Sequence, residues 1–234
     1  MSPLRELLQD LENLKNPKKA KTLSGFFKTG NGQYGEGDVF LGISVPDQRA
    51  AAKKHLSLNF QELNSLLKSK IHEHRLTALL ILAEKYRKSG MDTKKKILDF
   101  YFKNMKYVNN WDLVDSTADK IVGSYLADKN KSVLYRLTKS KNVWERRISI
   151  ISTFYFIRNN KFGDTLRISE LLLHDRHDLI HKAVGWMLRE IGKRDQYAEE
   201  RFLRKHCKEM PRTMLRYAIE RFDEKKRMSY LKIK

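Results

Sequence analysis

The stretch DLIHKAVGWMLREIG, residues 178–192, places apolar side chains at 180, 183, 184, 187, 188 and 191. That is helical spacing, with one apolar stripe turned to a core. Three stretches can be laid over it: HEHRLTALLILAEKY (72–86), NNWDLVDSTADKIVG (109–123) and NVWERRISIISTFYF (142–156). A weaker copy is MPRTMLRYAIERFDE (210–224). In that overlay Arg75, Asp112, Arg147, Lys182 and Thr213 share a register, with steps of 37, 35, 35 and 31 residues. Periods of this length, filled by two antiparallel helices each, are the mark of an α-solenoid. Chance likeness between amphipathic helices is the competing account. The expectation is an all-α chain whose second helices form a concave basic face.

Working outward, glycine and proline are sparse and no alternating strand pattern stands out. Ser2-Pro3 reads as an N-cap with a first-turn proline, opening a helix to about Lys15. Asn16-Pro17 repeats the signature and opens a second helix that should stop near Gly30, and Pro46 and Asp92 begin later ones. Further helices are expected at about 60–69, 72–89, 93–105, 111–127, 131–139, 143–158, 164–173, 177–193, 196–208 and 211–222. The whole, 1–234, reads as a single domain: N-terminal helices over 1–58 with a glycine-rich loop at 29–38, repeats over 59–224, and a basic tail from 225. That tail is either a fraying end or a weak phosphate-binding arm.

Lysine and arginine total 48 against 28 acidic residues, a formal net charge of +20. Such a balance points to a polyanion, either nucleic acid or an anionic membrane surface. The N-terminus is amphipathic and carries acids, so it reads as neither a signal nor a transit peptide. No run of 18 apolar residues exists, and the positive charge is spread rather than gathered in one anchor helix. Nucleic acid therefore leads over a membrane, with a cytoplasmic monomer expected. The single cysteine, Cys207, excludes an intramolecular disulfide and a multi-cysteine zinc site. His72/His74 and His174/His177/His181 lack a supporting acid cluster, so no metal and no cofactor is expected.

Two carboxylates stand out in NNWDLVD (109–115). Asp112 falls in a first helical turn, where it complements the helix dipole. Asp115 shares a face with Trp111, four residues away, on the side where other repeats carry Ala78, Ile150 or Gly185. A carboxylate there needs a partner or a purpose. The next repeats offer Trp144 with Arg147 and Trp186 with Arg189, again three apart. Trp144 reads as core. The other aromatics can stack on a base or sugar, and the arginines can fork onto phosphate.

WDLVD, WERR and KAVGWMLRE, in this order and at these separations, resemble the DNA alkylation repair family of HEAT-like-repeat glycosylases, the AlkD-type enzymes. The likeness runs from NPKKA (16–20) through FLGISVP (40–46) to the last repeat. It implies excision of N3- and N7-alkylated purines from duplex DNA. It also implies Asp115 as the catalytic carboxylate, Trp111, Trp186 and Phe26 in the lesion cleft, and Arg147, Lys182 and Arg189 on the DNA backbone. The chemistry is economical. A cationic alkylpurine is already a good leaving group, so one carboxylate suffices to stabilise the oxocarbenium-like sugar and position water. Glycoside hydrolases need a second acid because their leaving oxygen must be protonated. A non-catalytic binder of bent, branched or damaged DNA, and a protein-interaction scaffold, are the alternatives.

FFKTG and GQYGEGD resemble one branch of the family with a longer connection than its better-known members. The loop lacks the Lys-Ser/Thr of a P-loop, which leaves a solvated turn or a flap whose glycines (30, 32, 35 and 37) approach phosphate. Phe26 stands where those members carry a tyrosine, keeping the aromatic face and losing the hydroxyl.

Overall fold

The computed structural model describes residues 2–233; Met1 and Lys234, the two ends of the expected domain, lie outside the described residues. Among the described residues the regular structure is helical. Its one β contact is a single bridge between Val39 and Ile71. It clusters into two compact units, one running to Thr117 and the other beginning at Ala118.

The first unit holds α1 (Pro3–Asn13), α2 (Pro17–Phe26), α3 (Val45–Lys54), α4 (Phe60–Leu67), α5 (His72–Lys88), α6 (Met91–Lys103) and α7 (Trp111–Asp115). The proline starts behave as the sequence implied: Ser2 and Asn16 accept the N–H groups of Arg5 and Lys19, and Ser44 does the same for Asp47 ahead of Pro46. Asn59 and Glu62 form a reciprocal capping box on α4. Helix α5 is the hub, with α3, α4, α6 and α7 packed on it and α1 on α3. Its buried side chains run round the helix from His72 to Tyr86, as a helix surrounded by others requires.

Two elements depart from the sequence reading here. Helix α2 stops at Phe26 rather than near Gly30, because Lys28 turns to a positive φ of 52°. The helix expected over 111–127 is broken. Five residues of α7 are followed by a turn at 116–117 and a π-helical turn, Asp119–Gly123, before α8 (Ser124–Leu126). At the break the backbone tightens: the Thr117 N–H bonds the Val114 carbonyl three residues back at 3.1 Å, and its hydroxyl takes the Leu113 carbonyl at 2.6 Å.

The second unit adds α9 (Ser132–Leu137), α10 (Val143–Ser152), α11 (Phe154–Arg158), α12 (Gly163–Leu171), α13 (Asp178–Gly192), α14 (Gln196–His206), α15 (Arg212–Ala218) and α16 (Glu224–Lys232). Helix α13 is its hub, packed by α10, α11, α12, α14 and α15, with α9 on α10. Gly185 makes the closest of these approaches possible. A Cβ there would sit 2.4 Å from the Met214 carbonyl oxygen of α15. Trp144 is buried, as its reading as core required. The described part of the basic tail is folded as α16 rather than frayed. Asp223 caps α16, Tyr230 packs edge-on against Phe222 at 5.7 Å, and Lys226 meets Glu200 at 2.5 Å.

Candidate functional site

The FLGISVP segment is fixed first. Gly42 takes φ +86°, and a Cβ there would meet the Asn16 carbonyl at 2.1 Å, so only glycine closes this turn against the start of α2. The buried Glu73 carboxylate then accepts three backbone N–H groups from the turn, Leu41 at 3.0 Å, Gly42 at 2.8 Å and Ile43 at 3.2 Å. Acceptance of that many amides is a charge-assisted anchor worth more than ordinary hydrogen bonds.

One residue earlier on α5, His72 lies buried between two carboxylates. Its Nε2–H donates to Asp112 at 2.7 Å and its Nδ1–H to Asp38 at 3.2 Å. Arg75, one helical turn on, donates to the same Asp38 at 2.7 Å, and Asn110 reaches it at 3.3 Å. Burial pulls the imidazole down, but the hydrogen bonds of Asp112 and Asp38 and the Asp112 charge outweigh it and raise His72 to about 8. Burial likewise raises Asp38, and His72 and Arg75 together reverse that and hold its carboxyl below the usual range. Asp112 is in the first turn of α7, as expected, yet its second job was not legible: it ties that turn to α5.

Around the imidazole gathers an aromatic cluster. Phe40 and Phe27 both pack on the His72 ring, at 4.7 and 4.9 Å, and on each other at 5.0 Å, and Trp111 stacks on Phe27 at 5.1 Å with planes 7° apart. Phe26 closes the top, edge-on to Trp111 at 5.8 Å and 62% exposed. The Asn110 side chain caps the Trp111 amide at 2.8 Å. Asp115 is the last residue of this short helix and is half-buried. The structure thus brings Phe26 and Trp111 into contact and sets Asp115 one turn from Trp111. An apolar cavity of about 330 Å³ opens beside the stack, lined by Leu23, Phe27, Phe40, Val45, His72 and Asp112 among others, but not by Trp111 or Asp115.

The glycine loop is folded on itself rather than open. Gln33 and Glu36 accept the N–H groups of Gly30 and Gly32, and Gly35 packs directly under the Phe27 carbonyl. Its last residue, Asp38, is the partner of His72 and Arg75. Composition and helical period speak only of local neighbours, so this link between a loop and two helices had no sequence signal beyond His72 and Arg75 sharing a face.

In the second unit, Trp186 is half-buried, its indole N–H held by Glu190 at 3.2 Å and its ring 5.7 Å from Phe154. Lys182 pairs with Asp178 at 2.7 Å and Arg189 with Glu220. Arg147 is buried, and its Nη1 donates to the Leu179 carbonyl at 2.5 Å, which fixes it against α13. Among the described residues no group of three His, Cys, Asp or Glu could hold a metal ion, and no helix is long and apolar enough to cross a membrane.

Comparison with known proteins follows the same lines. Among solved structures, a "Predicted DNA alkylation repair enzyme from Enterococcus faecalis" superposes with a TM-score of 0.68. The match covers 90% of this chain and 97% of that one at 18% identity, a likeness of fold. No curated protein sequence matches the chain. The sequence profile described as DNA alkylation repair enzyme matches residues 7–222. With nearly the whole chain inside that match, the protein belongs to the DNA alkylation repair enzyme family.

Proposed function

We propose that the protein is a DNA glycosylase that hydrolyses the N-glycosidic bond of cationic N3- or N7-alkylated purines in duplex DNA. The observation that carries this reading is the setting of Asp115. Within a family of DNA repair enzymes, a chain of net charge +20 keeps this carboxylate one helical turn from a tryptophan whose own position is fixed by stacking and capping. The alkylated base leaves without protonation because it already carries positive charge. As the C–N bond lengthens, positive charge passes to the sugar, and a fixed carboxylate lowers that barrier electrostatically. The same carboxylate orients or deprotonates the water that completes hydrolysis. Trp111 and Phe26 supply aromatic faces beside it. Trp186 would be an aromatic contact of the second unit, and Arg147, Lys182 and Arg189 would act on the phosphates from α10 and α13, taken as second helices of HEAT-like repeats.

A second reading, a non-catalytic binder of damaged or bent DNA, draws on two observations. Phe26 lacks a hydroxyl, and Lys182 and Arg189 already hold protein acids. Base release separates the two. Incubated with duplex containing N7-methylguanine or N3-methyladenine, the protein should liberate free base, with neutral lesions turned over poorly. Salt-sensitive DNA binding without release would support the binder.

A further inference from the structure

Helices α9, α12 and α14 of the second unit carry a basic surface that the proposed site does not use. Two furrows run between them. One, of about 590 Å³, is lined by Tyr135, Arg136, Lys139, Arg167 and Leu171, from α9 and its following turn to α12. The other, of about 540 Å³, continues from Arg167 to Arg201 and Lys205 on α14. They share Arg167, and no residue of α10 or α13 lines either one.

The acids here are already matched. Asp164 accepts the Tyr135 hydroxyl at 2.6 Å and lies 3.8 Å from Lys131. Glu170 takes Lys205 at 2.7 Å and His206 at 3.0 Å, and those two hold its carboxyl below the usual range. Arg136, Lys139, Arg167 and Arg201 are exposed, and among the described residues no acid pairs with any of them. Three of these four cations are guanidinium groups, which fork onto phosphate oxygens.

The arrangement suits a strand backbone. The arginines recur at 136, 167 and 201, on α9, α12 and α14 in turn. The two furrows meet at Arg167, so these guanidinium groups line one continuous basic surface along which a phosphate backbone can be held.

We propose that this furrow is a second DNA-binding surface, which holds the phosphate backbone of a duplex segment other than the one that α10 and α13 would meet. The inference rests on DNA being the ligand of this family and is independent of the chemistry at Asp115. It gives the protein two duplex contacts per chain, a means of bridging DNA segments or moving between them without full release.

The test is capture of a second duplex. Wild-type protein is loaded on undamaged duplex tethered to beads, and a labelled free duplex is added at low salt. The wild type should retain the labelled DNA, with light scattering giving two duplexes per chain. The variant Arg136→Glu/Lys139→Glu/Arg167→Glu/Arg201→Glu should lose capture by about tenfold or more, while binding the tethered duplex within about threefold of wild type. Arg167→Ala alone should fall between them. A variant of equal charge change in the first unit, Lys54→Glu/Lys88→Glu/Lys96→Glu/Lys103→Glu, should capture as wild type does. No capture by wild type, one duplex per chain, capture retained by the furrow variant, or equal loss in the control would each overturn the proposal. Base release is read separately, from the same protein preparations supplied with duplex containing N7-methylguanine. Its absence would remove the glycosylase reading and leave the second surface standing.

Discussion

Glu199 shows what a single side chain costs this fold. It is buried, one carboxyl oxygen has no partner among the described residues, and the other abuts Gly192, where a Cβ would lie 1.7 Å from it. Burial, with the Glu200 charge behind it, pushes its pKa to about 9 despite Arg189. The folded state therefore binds a proton that the unfolded chain releases above about 4.5, so stability falls as pH rises from there to about 9. Glu199→Gln keeps the shape and removes the penalty. Denaturant melts should show it more stable than wild type, by at least about 1 kcal/mol more at pH 8 than at pH 5. Equal gains at both pH values would mean that the carboxyl stays ionised in the fold. At the same scale the sequence spoke clearly about caps and poorly about partners. Ser2, Asn16 and Asn59 announced their helices because a cap is a local event. Asp38, His72 and Asp112 are brought together from positions far apart in the chain, and nothing local to any of them encodes the other two.

At the scale of elements, the device that aims the candidate carboxylate is the junction of α5 with α7. Five residues are too few to hold a helix by their own hydrogen bonds. Helix α7 is held instead by the Asn110 cap, the Asp112–His72 pair and the stacking of Trp111 on Phe27. His72 is the titratable part, facing Asp38 and Asp112 with Arg75 nearby. Its pKa is raised from 6.5 to about 8, so its contribution is fully present below pH 6.5 and is lost as pH rises through 8. The loss amounts to about 2 kcal/mol at most. Unfolding free energy measured from pH 6 to 9 should fall across that window in wild type. In His72→Gln the Glu199 slope should remain and the His72 component should vanish. An unchanged profile in the variant would show that the imidazole is neutral in the fold. Element boundaries follow a similar logic. The periodicity that located α5, α10 and α13 also ran on through 111–127, because apolar spacing does not register the Thr117 back-bond or a π-helical turn.

For the whole molecule, the sequence reading reached the helical class and the repair family, but not the protein groups that each cation meets. Net charge and helical period are sums over many residues and survive local errors. That is why an all-helical chain of a DNA repair family was legible, while the roles of Asp115, Trp111 and Phe26 come only from the resemblance of WDLVD and its neighbours and stand as proposals. How each cation is paired in the free protein is a question of geometry. Lys182 and Arg189 meet acids, Arg147 bonds the Leu179 carbonyl, and Arg136, Arg167 and Arg201 on α9, α12 and α14 are exposed. The central claim is that one carboxylate carries the chemistry on a leaving group that is already cationic. Its most direct test is single-turnover release of N7-methylguanine from duplex DNA by wild type and Asp115→Asn, compared at equal occupancy of the DNA. Wild type should release base, and the variant should bind as tightly and release it at least about a hundredfold more slowly. Equal rates, or no release by either protein, would contradict the account.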